Sequence, residues 1–449
     1  MKTSLVLINP WIYDFAAYDL WSKPLGLLCL AGYLREWGFK VHLIDCLDVH
    51  HPEMQRHASL KAPKRRLYGT GKYWREVVPK PSLFKDIPRP YSRYGLLPDI
   101  FEAELRKVRN PSAVLVTSLM TYWYPGVMEV IRLAKMVHPG VPVILGGIYA
   151  RLCHEHALMN SGADRVVSGH GAASLSAVLN EYGIHVPANR PPDGVEAYPA
   201  FDLLTQIDYV CLMTSSGCPF RCQYCASHFL YPELIRRKPD EVLDEILYWH
   251  SEFAVQDFAF YDDALLTAPH SHAGLLLEGL AQLNLNVRFH TPNALHVREV
   301  TQEIARLLYR TGFQTIRLGL ETSDLSLHRD LDNKVSGGDF ERAMRNLLKA
   351  GFDTRQIGAY ILIGLPGQTV DSIVETIRFV GANGAVPYLS EYSPIPHTPL
   401  WEKAIVSSEY DLVSEPLFHN NTLLSCWDES KKRELPRLKR IVSEIRSSI

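Results

Sequence analysis

The sequence has no long hydrophobic run and no excess of charge of either sign. A helix that spans a bilayer needs about 20 consecutive apolar residues, and the apolar run at the N-terminus covers only residues 5–8. That run is also too short for the core of a signal peptide, so it indicates a first strand. The net charge of −2 gives no electrostatic argument for nucleic acid or an anionic membrane. We therefore expect no membrane span and no nucleic-acid partner.

The sequence also lacks a disulfide framework. Its eight cysteines are scattered along 449 residues, except for Cys218, Cys222 and Cys225, which lie close together. Regularly spaced cysteines are typical of small secreted proteins, so we expect this protein in the reducing cytoplasm. The length favours two domains with appended segments, because single hydrophobic cores seldom grow beyond about 250–300 residues.

Strands and helices alternate in residues 1–184. This alternation predicts an α/β fold with a doubly wound, flavodoxin- or Rossmann-like parallel sheet. Such sheets bind ligands at the carboxyl ends of their strands, where the strand order reverses. The strands are predicted at 4–8, 40–44, 113–117, 141–145 and 164–167, and the helices near 24–38, 99–108, 125–137 and 152–161.

Five residues just after these predicted strands are candidates for binding a cofactor. Glycines and hydroxyl side chains at strand ends let a polar cofactor or a phosphate approach the backbone. The same residue types are also typical of tight turns between strand and helix, and both interpretations stay open. The five residues are Ser118, Thr121, Gly146, Gly147 and Gly169.

Two irregular segments interrupt the pattern. Residues 46–97 are rich in proline and combine a basic cluster with interleaved aromatic side chains. We interpret them as an ordered lid or interface arm, because the aromatic content argues against disorder; a clasp for nucleic acid is the alternative. Residues 185–207, which contain Pro187, Pro191, Pro192 and Pro199, have the composition of an interdomain linker.

The strand–helix rhythm resumes in residues 208–400. Six repeats are predicted, and a helical extension over 401–449 follows, ending in a basic helix near 430–445. In barrels built from such repeats the functional residues lie at the carboxyl ends of the strands. The strands are predicted at 209–213, 257–261, 287–290, 315–320, 358–363 and 386–391.

Polar residues follow the second and third strands of this half. Asp262 and Asp263 are compatible with a functional role and equally with capping the next segment. Asn293 and His296 follow the third strand. We interpret His290 and His296 as core or rim histidines with satisfied hydrogen bonds rather than as metal ligands.

Cys218, Cys222 and Cys225 have the spacing C-x3-C-x2-C on a loop just after a predicted strand. Three thiolates on one loop can bind three irons of a four-iron, four-sulfur cluster, which normally takes four cysteines. One iron would then have no protein ligand and would be open to a small molecule. A zinc site completed by His228 or a remote residue is the alternative, but the second short ligand pair of such sites is missing.

Residues 217–225, Gly-Cys-Pro-Phe-Arg-Cys-Gln-Tyr-Cys, resemble the signature of radical S-adenosylmethionine enzymes. The resemblance implies a partial (β/α)6 barrel and a four-iron, four-sulfur cluster on the three cysteines. It also implies S-adenosylmethionine chelated to the open iron and cleaved by one electron to methionine and a 5′-deoxyadenosyl radical. The residues that match the family's cofactor contacts are Tyr224, Glu321, Gly364, Pro366 and Gly367.

The N-terminal half resembles the cobalamin-binding domain that is often fused in front of these barrels. The resemblance rests on the order of the elements and on residues 118–121 and 143–147. It implies that Ser118, Thr121, Gly146, Gly147 and Gly169 contact cobalamin. Many such domains carry Asp-x-His-x-x-Gly after the first strand, and this histidine is the lower cobalt ligand. Here residues 9–15 read Asn-Pro-Trp-Ile-Tyr-Asp-Phe and contain no histidine, so the cobalt would lack that ligand, as in some members of the family.

Together these resemblances imply radical methylation of an unactivated carbon in a small-molecule substrate, with a one-electron reductant of the flavodoxin or ferredoxin type. A cobalamin-free radical enzyme for oxidation, rearrangement or ring closure is the alternative, and a non-catalytic cluster-binding protein is a third. Methylthiolation of transfer RNA occurs in relatives that carry a second set of cluster cysteines and a β-rich RNA-binding domain, and this sequence resembles neither feature. No residue identifies the substrate or a catalytic acid or base.

Overall fold

The computed structural model describes residues 3–57, 60–169, 171–186 and 197–449. His170 and the predicted linker prolines Pro187, Pro191 and Pro192 lie outside the described residues. The chain forms two compact units, Met1–Asp208 and Tyr209–Ile449. Each unit contains a parallel sheet of its own.

The first unit has a five-stranded sheet, and its strands are β1 (Ser4–Asn9), β2 (Lys40–Asp45), β3 (Ala113–Val116), β4 (Val143–Leu145) and β5 (Arg165–Val166). All neighbouring strands are parallel, in the order β5-β4-β3-β1-β2. The order therefore reverses between β1 and β3, as in flavodoxin-like sheets. The predicted doubly wound fold is confirmed.

Helices cover both faces of this sheet because β1 is apolar on both faces. Leu5 and Leu7 belong to one hydrophobic core, whereas Val6 and Ile8 belong to the other, as the alternation of side chains along a strand requires. The single helix predicted at 152–161 is two helices, since Cys153 has a non-helical backbone. The helices are α1 (Leu25–Glu36), α2 (Pro52–Arg56), α3 (Pro98–Lys107), α4 (Tyr124–Val137), α5 (Ile148–Leu152), α6 (His154–Asn160) and α7 (Gly171–Glu181).

The irregular segment 46–97 is organised around a small antiparallel sheet. Ile12–Asp14, just after β1, pairs with Ser92–Tyr94, and Ser92–Tyr94 pairs with Arg75–Val77. The aromatic side chains of Tyr73 and Trp74 are buried in a core that this segment shares with the loops after β1 and β2. The aromatic residues therefore stabilise the first unit and do not form an exposed surface on which bases could stack.

The described part of the predicted linker packs against the first unit. Phe201 is fully buried, and the Arg35 side chain of α1 donates two hydrogen bonds of 2.7 Å to Asp202. A Cβ at Gly32 would overlap the carbonyl oxygen of Tyr198, so a glycine at this position of α1 lets the segment approach closely. Residues 197–208 thus form a docked segment.

The second unit has six parallel strands that are neighbours in the order of the chain, and a short strand, Leu295–His296, also pairs with the fourth of them. Sequential parallel strands with intervening helices are the arrangement of a βα barrel, so the predicted partial (β/α)6 barrel is confirmed. The six strands are β6 (Val210–Leu212), β7 (Asp257–Phe260), β8 (Arg288–His290), β9 (Phe313–Glu321), β10 (Ile357–Ile363) and β11 (Val386–Glu391).

Local sequence signals set several helix ends of this unit. The hydroxyls of Thr301 and Thr369 accept hydrogen bonds from backbone N–H groups of α11 and α14, as N-caps do. The last helix begins later than predicted, because Pro436 is placed in its first turn. The helices are α8 (Ser227–Leu230), α9 (Pro239–Phe253), α10 (Gly274–Leu283), α11 (Gln302–Arg310), α12 (Leu325–Leu331), α13 (Asp339–Ala350), α14 (Val370–Ala382), α15 (Trp401–Ser407), α16 (Glu429–Lys432) and α17 (Leu435–Ser448).

The C-terminal helix α17 packs on the last strand–helix repeat of the barrel. The Arg446 guanidinium donates to the carbonyl oxygen of Pro387 in β11 at 2.8 Å. Ile445 lies so close to Gly381 of α14 that a Cβ at this glycine would be 2.9 Å from the side chain. Across residues 3–57, 60–169, 171–186 and 197–449, no helix has both the length and the apolar character needed to cross a membrane.

Candidate cofactor sites

The loop with the three cysteines follows β6 and is fixed by its backbone. Gly217 has φ 83°, and a Cβ there would overlap the carbonyl oxygen of Glu233, so only glycine fits. The Gln223 N–H donates to the Leu331 carbonyl at 2.8 Å, and the Gln223 carbonyl accepts from the Leu400 N–H at 2.9 Å. The loop is therefore held both at its start and in its middle.

Asp262, directly after β7, fixes the chain between β6 and this loop. Its carboxylate is 2% exposed and accepts the N–H and hydroxyl of Thr214, at 3.0 and 2.8 Å, and the N–H and hydroxyl of Ser215, both at 2.7 Å. Burial raises the pKa of Asp262, and the bonds from Thr214 and Ser215 act against that rise. Asp262 thus organises the approach to the cysteine loop, which is neither of the roles its sequence position suggested.

The three cysteine thiols are proposed cluster ligands, and their environment favours the protonated form in the absence of a metal. Burial raises the pKa of Cys218, of Cys222 and of Cys225, the last to about 11. A metal that binds such thiols must displace their protons. Cys222 is 4% exposed, and the Ser227 N–H donates to the Cys225 sulfur at 3.4 Å.

The arrangement differs from that of a site for one metal ion. In the described ranges, no three His, Cys, Asp or Glu side chains converge as ligands of a single ion. His228 was considered as a zinc ligand. Its Nε2 is 2.5 Å from the carbonyl oxygen of Phe220, so this nitrogen donates a hydrogen bond to the loop. In a four-iron cluster each thiolate binds a different iron, so the thiols need not point at one position.

The positively charged side chain of Lys334 lies close to the cysteine loop, and no sequence motif indicated this. Its ammonium group lies 5.8 Å from the ring centre of Phe220 and 5.9 Å from that of Tyr224. Burial alone lowers the pKa of Lys334, but the nearby Cys222, Glu321 and Asp332 raise it above its usual value. The side chain therefore stays charged and offsets the negative charge that ligands would bring to the loop.

Asp332 and His328 support Lys334 and Tyr224 from the segment after β9. The side chain of Asp332 is fully buried, and it accepts from the Lys334 N–H at 3.0 Å and from the Tyr224 hydroxyl at 3.4 Å. His328 bonds to Asp332 through Nδ1 at 3.1 Å and to the Thr322 carbonyl through Nε2 at 2.7 Å. The i,i+4 spacing of His328 and Asp332 fits their contact, but nothing in the sequence indicates that they meet Tyr224.

Glu321 ends β9 and faces the same region. Its φ of 62° lies in the left-handed region, which costs a non-glycine residue of order 1–3 kcal/mol, and the pairing of β9 with β10 shifts register there. Burial raises the pKa of Glu321, whereas Lys334 and a hydrogen bond from Tyr224 lower it. The fold thus brings together Tyr224, Glu321 and the cysteines, which the sequence motifs assign to one cofactor site.

The turn after β10 carries the other predicted contacts, Gly364, Pro366 and Gly367. Gly364 has φ 92° and Gly367 has φ 76°, so both need the conformational freedom of glycine. Nothing lies within 4 Å of where a Cβ of Gly367 would be. The Gln368 amide holds the turn by donating to the Leu362 carbonyl at 2.8 Å. The backbone of the turn is therefore open at Gly367, whereas the Leu424 side chain would lie 2.9 Å from a Cβ at Gly364.

Most of the polar residues at the ends of β7 and β8 are hydrogen-bonded within the protein, and His296 is the exception among those in the described ranges. Asp263 accepts from the Ser227 hydroxyl at 2.6 Å, and the Asn293 amide donates to the Tyr261 carbonyl at 2.6 Å. His290 bonds to Asp257 and Thr315 through its two ring nitrogens, at 3.0 and 3.1 Å, as expected for a satisfied core histidine. His296 differs from it, because its Nε2 has no hydrogen-bond partner among the residues the structure describes.

In the first unit, Ser118, Gly146 and Gly147 meet at the carboxyl ends of β3 and β4. The Ser118 hydroxyl donates to the Gly146 carbonyl at 2.7 Å and accepts from the Ala150 N–H at 3.3 Å. Gly147 has φ 93°, and a Cβ there would overlap the backbone of Ser118. Nothing lies within 4 Å of a Cβ position at Gly146. The result is a closed pair of turns with an open space in front of Gly146.

Thr121 and Gly169 lie on separate turns. Thr121 is 5% exposed and begins the short helix Thr121–Trp123. Gly169 follows β5, and a Cβ there would overlap the Ser174 hydroxyl, so glycine lets α7 approach this turn. The residue after Gly169 is His170, which lies outside the described residues.

The loop after β1 is closed by Trp11 where many cobalamin domains carry a histidine. The Trp11 side chain is fully buried, its indole N–H donates to the Leu96 carbonyl at 2.8 Å, and its ring packs on Phe101 at 4.8 Å. In the same loop the Asn9 amide donates to Asp45 at 2.7 Å. Gly146 leaves its side-chain position open for a ligand, but the loop after β1 offers cobalt no imidazole.

Two protein-family models match the chain. The model of the radical SAM superfamily matches residues 212–380, which cover the cysteine loop and most of the barrel. The model of the B12 binding domain matches residues 95–179, which cover α3 through most of α7. The two matches fall in different units.

Relatives with similar sequences include enzymes of more than one activity. Cytidylyl-2-hydroxyethylphosphonate methyltransferase of Streptomyces wedmorensis is 22% identical over 83% of this chain and 75% of its own length. The anaerobic magnesium-protoporphyrin IX monomethyl ester cyclase of Cereibacter sphaeroides is 22% identical over 67% of this chain and 54% of its own length.

The fold is similar to that of solved radical S-adenosylmethionine enzymes. The methyltransferase TsrM from Kitasatospora setae, whose structure contains tryptophan substrate and an S-adenosylmethionine analogue, superposes with a TM-score of 0.65 and 16% identity. The superposition covers 96% of this chain and 84% of TsrM. At this identity the similarity establishes the fold.

The chain is a radical S-adenosylmethionine enzyme. More specifically, a B12-binding-type domain precedes its radical SAM domain, which is the domain order of class B radical SAM enzymes. The cofactors expected from the sequence agree with the two family models: a four-iron, four-sulfur cluster and S-adenosylmethionine with the barrel, and cobalamin with the N-terminal domain.

Proposed function

We propose that this enzyme transfers a methyl group to a carbon centre of a small-molecule substrate. The observation that carries the proposal is the presence, in one chain, of the cysteine loop with Lys334 and Glu321 and of the glycine cradle at Gly146 and Gly147. The methyltransferase relatives that span most of the chain support it. When bound, the cluster and S-adenosylmethionine supply a 5′-deoxyadenosyl radical, and cobalamin supplies the methyl group.

The residues of the second unit have distinct tasks in this proposal. Cys218, Cys222 and Cys225 hold the cluster, and the positive charge of Lys334 offsets the charge of the thiolates, since buried charges need a partner. Glu321 accepts hydrogen bonds from the ammonium or ribose groups of S-adenosylmethionine. Tyr224 is oriented by Asp332 and by Glu321, so its backbone is fixed beside the third cysteine.

The turn after β10 and the first unit hold the remaining groups. Gly364, Pro366 and Gly367 place this turn against the adenine ring, and the absence of a side chain at Gly367 lets its backbone come close to the ring. Ser118 braces the turn at Gly146 from behind, so its hydroxyl shapes the cobalamin cradle and need not touch the cofactor. Thr121 and Gly169 bound the cradle on the neighbouring turns. In this proposal residues 1–184 bind cobalamin, 185–207 link the two parts, 208–400 carry the radical chemistry, and 401–449 are an extension.

The proposed reaction needs one electron for each S-adenosylmethionine that is cleaved, so we include a flavodoxin- or ferredoxin-type reductant as a partner. We also place the enzyme in the cytoplasm. No disulfide joins any of the cysteines in the described part of the chain, which is the state that a reducing compartment maintains.

The second candidate function is a radical oxidation, rearrangement or ring closure without cobalamin. Two observations favour it. The loop after β1 has Trp11 and no histidine, which favours the absence of cobalamin. One relative of similar identity is named as a cyclase, which favours ring closure as the reaction. In that case the cradle at Gly147 would have kept its fold and lost its ligand.

Metal analysis of the reconstituted protein separates the two functions. The protein is purified anaerobically, supplied with iron, sulfide and hydroxocobalamin, desalted, and analysed for iron and cobalt. Stoichiometric cobalt beside about four irons per chain supports methyl transfer. If the protein retains iron but no cobalt and still cleaves S-adenosylmethionine, the methyl-transfer proposal is refuted and the cobalamin-free function takes its place.

A cysteine pair provides the control. Cys222→Ala removes a proposed cluster ligand, whereas Cys426→Ala removes a buried thiol of the C-terminal extension. We expect the first variant to lose iron and cleavage and the second to keep both. Cleavage that persists in Cys222→Ala would overturn the cluster assignment.

A further inference from the structure

His296 lies among the residues proposed to hold the cluster and S-adenosylmethionine. It ends the short strand Leu295–His296, which pairs with β9 so that His296 is opposite Gly319. Gly319 precedes Glu321 by two residues, and a Cβ at Gly319 would lie 3.5 Å from the Glu321 carboxylate. His296 is therefore placed at the carboxyl ends of the barrel strands, where barrel enzymes bind their ligands.

The imidazole of His296 also touches the cysteine loop directly. Its ring centre is 4.1 Å from that of Phe220, and the two rings are tilted by 51°. Phe220 lies between the first and second cysteines of the motif. Because this packing leaves His296 only 6% exposed, the ring is fixed with respect to the loop.

One nitrogen of this fixed ring is unused. Nε2 of His296 is buried and makes no hydrogen bond to any residue in the described ranges. The other buried histidines of the site differ: His290 bonds to Asp257 and Thr315, and His328 bonds to Asp332 and Thr322. Buried polar atoms are nearly always paired, and an exception in a native fold needs an explanation.

The unused nitrogen can form one hydrogen bond. Burial lowers the pKa of His296 to about 3, and the positive charge of Lys334 adds to this effect, so the ring is neutral at pH 7. A neutral imidazole has one N–H group and one nitrogen lone pair, so Nε2 either donates or accepts a hydrogen bond, depending on the tautomer. The missing partner must therefore be a polar group.

We propose that Nε2 of His296 forms a hydrogen bond with a polar group of S-adenosylmethionine. The inference rests on the proposed function only in its assignment of the cluster and S-adenosylmethionine to the barrel. S-adenosylmethionine carries ribose hydroxyls, a carboxylate, an α-amino group and an adenine ring, and each of these can bond to an imidazole nitrogen. The charge of the Lys334 ammonium acts on His296 and on Cys222 and Glu321 as well. Both His296 and Lys334 lie near the Phe220 ring, with 4.1 Å between the His296 and Phe220 ring centres and 5.8 Å from the Lys334 ammonium to the Phe220 ring centre.

His296→Phe tests this inference because it keeps an aromatic ring against Phe220 and removes the unpaired nitrogen. The iron-reconstituted full chain is titrated with S-adenosylmethionine, and binding is measured by equilibrium dialysis and by the change in the electron paramagnetic resonance signal of the reduced cluster. We expect the iron content and the signal without S-adenosylmethionine to match the wild type, and the dissociation constant to rise about threefold to tenfold. An unchanged dissociation constant would refute the inference.

A second pair of variants separates the two ring nitrogens and applies even if His296→Phe fails to hold iron. The amide oxygen of His296→Gln reaches the position of Nε2, whereas that of His296→Asn reaches only the position of Nδ1. We expect His296→Gln to bind S-adenosylmethionine more tightly than His296→Asn, and equal affinities of the two would overturn the inference. The measurement needs neither cobalamin nor a substrate, so its failure is distinct from a failure of the methyl-transfer proposal.

Discussion

Removing the carboxylate of Asp262 tests how the barrel positions its cysteines. Asp262 follows β7, the strand next to β6, and accepts hydrogen bonds from Thr214 and Ser215, which lie just after β6 and are 47 or 48 residues away in sequence. If these bonds hold the loop, then Asp262→Ala should loosen residues 214–226 while the rest of the barrel stays folded. Asp262→Asn keeps the size of the side chain and one acceptor oxygen, so it should act less strongly.

The magnitude follows from the four donors. The hydroxyls of Thr214 and Ser215 can rotate toward other acceptors, but their backbone N–H groups cannot, and these two residues are 0% and 5% exposed. Each buried donor left without a partner costs about 1–3 kcal/mol. With two such N–H groups, Asp262→Ala should lower the free energy needed to open the loop locally by about 2–6 kcal/mol. Asp262→Asn replaces charge-assisted bonds by neutral ones, which differ by about 1 kcal/mol per bond.

Hydrogen–deuterium exchange of the cofactor-free protein measures this local effect without assuming two-state unfolding of the whole chain. A loss of 2–6 kcal/mol makes the opening equilibrium more favourable by roughly 30-fold or more, so amides of peptides covering 210–226 should exchange much faster in Asp262→Ala. Asp324→Ala is the control, because it removes an exposed helix cap from the same unit. Unchanged exchange at 210–226 in Asp262→Ala, with full iron incorporation, would refute this account of the loop.

Three further predictions concern other parts of the chain. Gly147→Ala should destabilise the first unit and reduce cobalt binding, because its φ is positive and a Cβ would overlap Ser118; Gly146→Ala, with open space at its Cβ, should melt like the wild type yet bind less cobalt. Asp339 has its pKa lowered to about 2 by Ser336 and two arginines, despite burial, so its stabilising effect is complete above its unfolded pKa near 4. Asp339→Asn should therefore lower the melting temperature at pH 7, and the difference from the wild type should shrink as the pH falls from 4 to 2. When the protein holds cobalamin reduced to the cobalt(II) state, labelling the protein with 15N should leave the electron paramagnetic resonance lines of cobalt unchanged. A change in their splitting would show that a protein nitrogen is bound to the cobalt.

The fold could be predicted from the sequence because its signals are local. Each strand is a short apolar run and each helix an amphipathic one, and the two halves repeat these signals with little interruption. Buried parallel strands are apolar on both faces, as Leu5, Val6, Leu7 and Ile8 show. The cysteine motif was equally readable, since three ligands on one short loop need no information about the rest of the chain.

The support around that loop could not be predicted, because it is assembled from distant segments. His328 lies on α12, Asp332 is the cap of that helix and Lys334 follows it. No motif in the sequence indicates that this helix end meets the cysteine loop, and the register shift at Glu321 leaves no mark in sequence spacing either. The role of Asp262 was missed for the same reason: its donors are 47 or 48 residues away.

The loop after β1 shows how one substitution in a motif has consequences for the surrounding core. Trp11 satisfies the Leu96 carbonyl, packs on Phe101 and lies under the Arg93 guanidinium at 5.4 Å. A histidine at this position is smaller, so it would leave a cavity and cost several kcal/mol, as other reductions of large buried side chains do. A histidine placed there would be surrounded by the same core side chains that bury Trp11. We therefore expect that Trp11→His alone would not create a lower ligand for cobalt, and that it would instead lower the stability of the first unit.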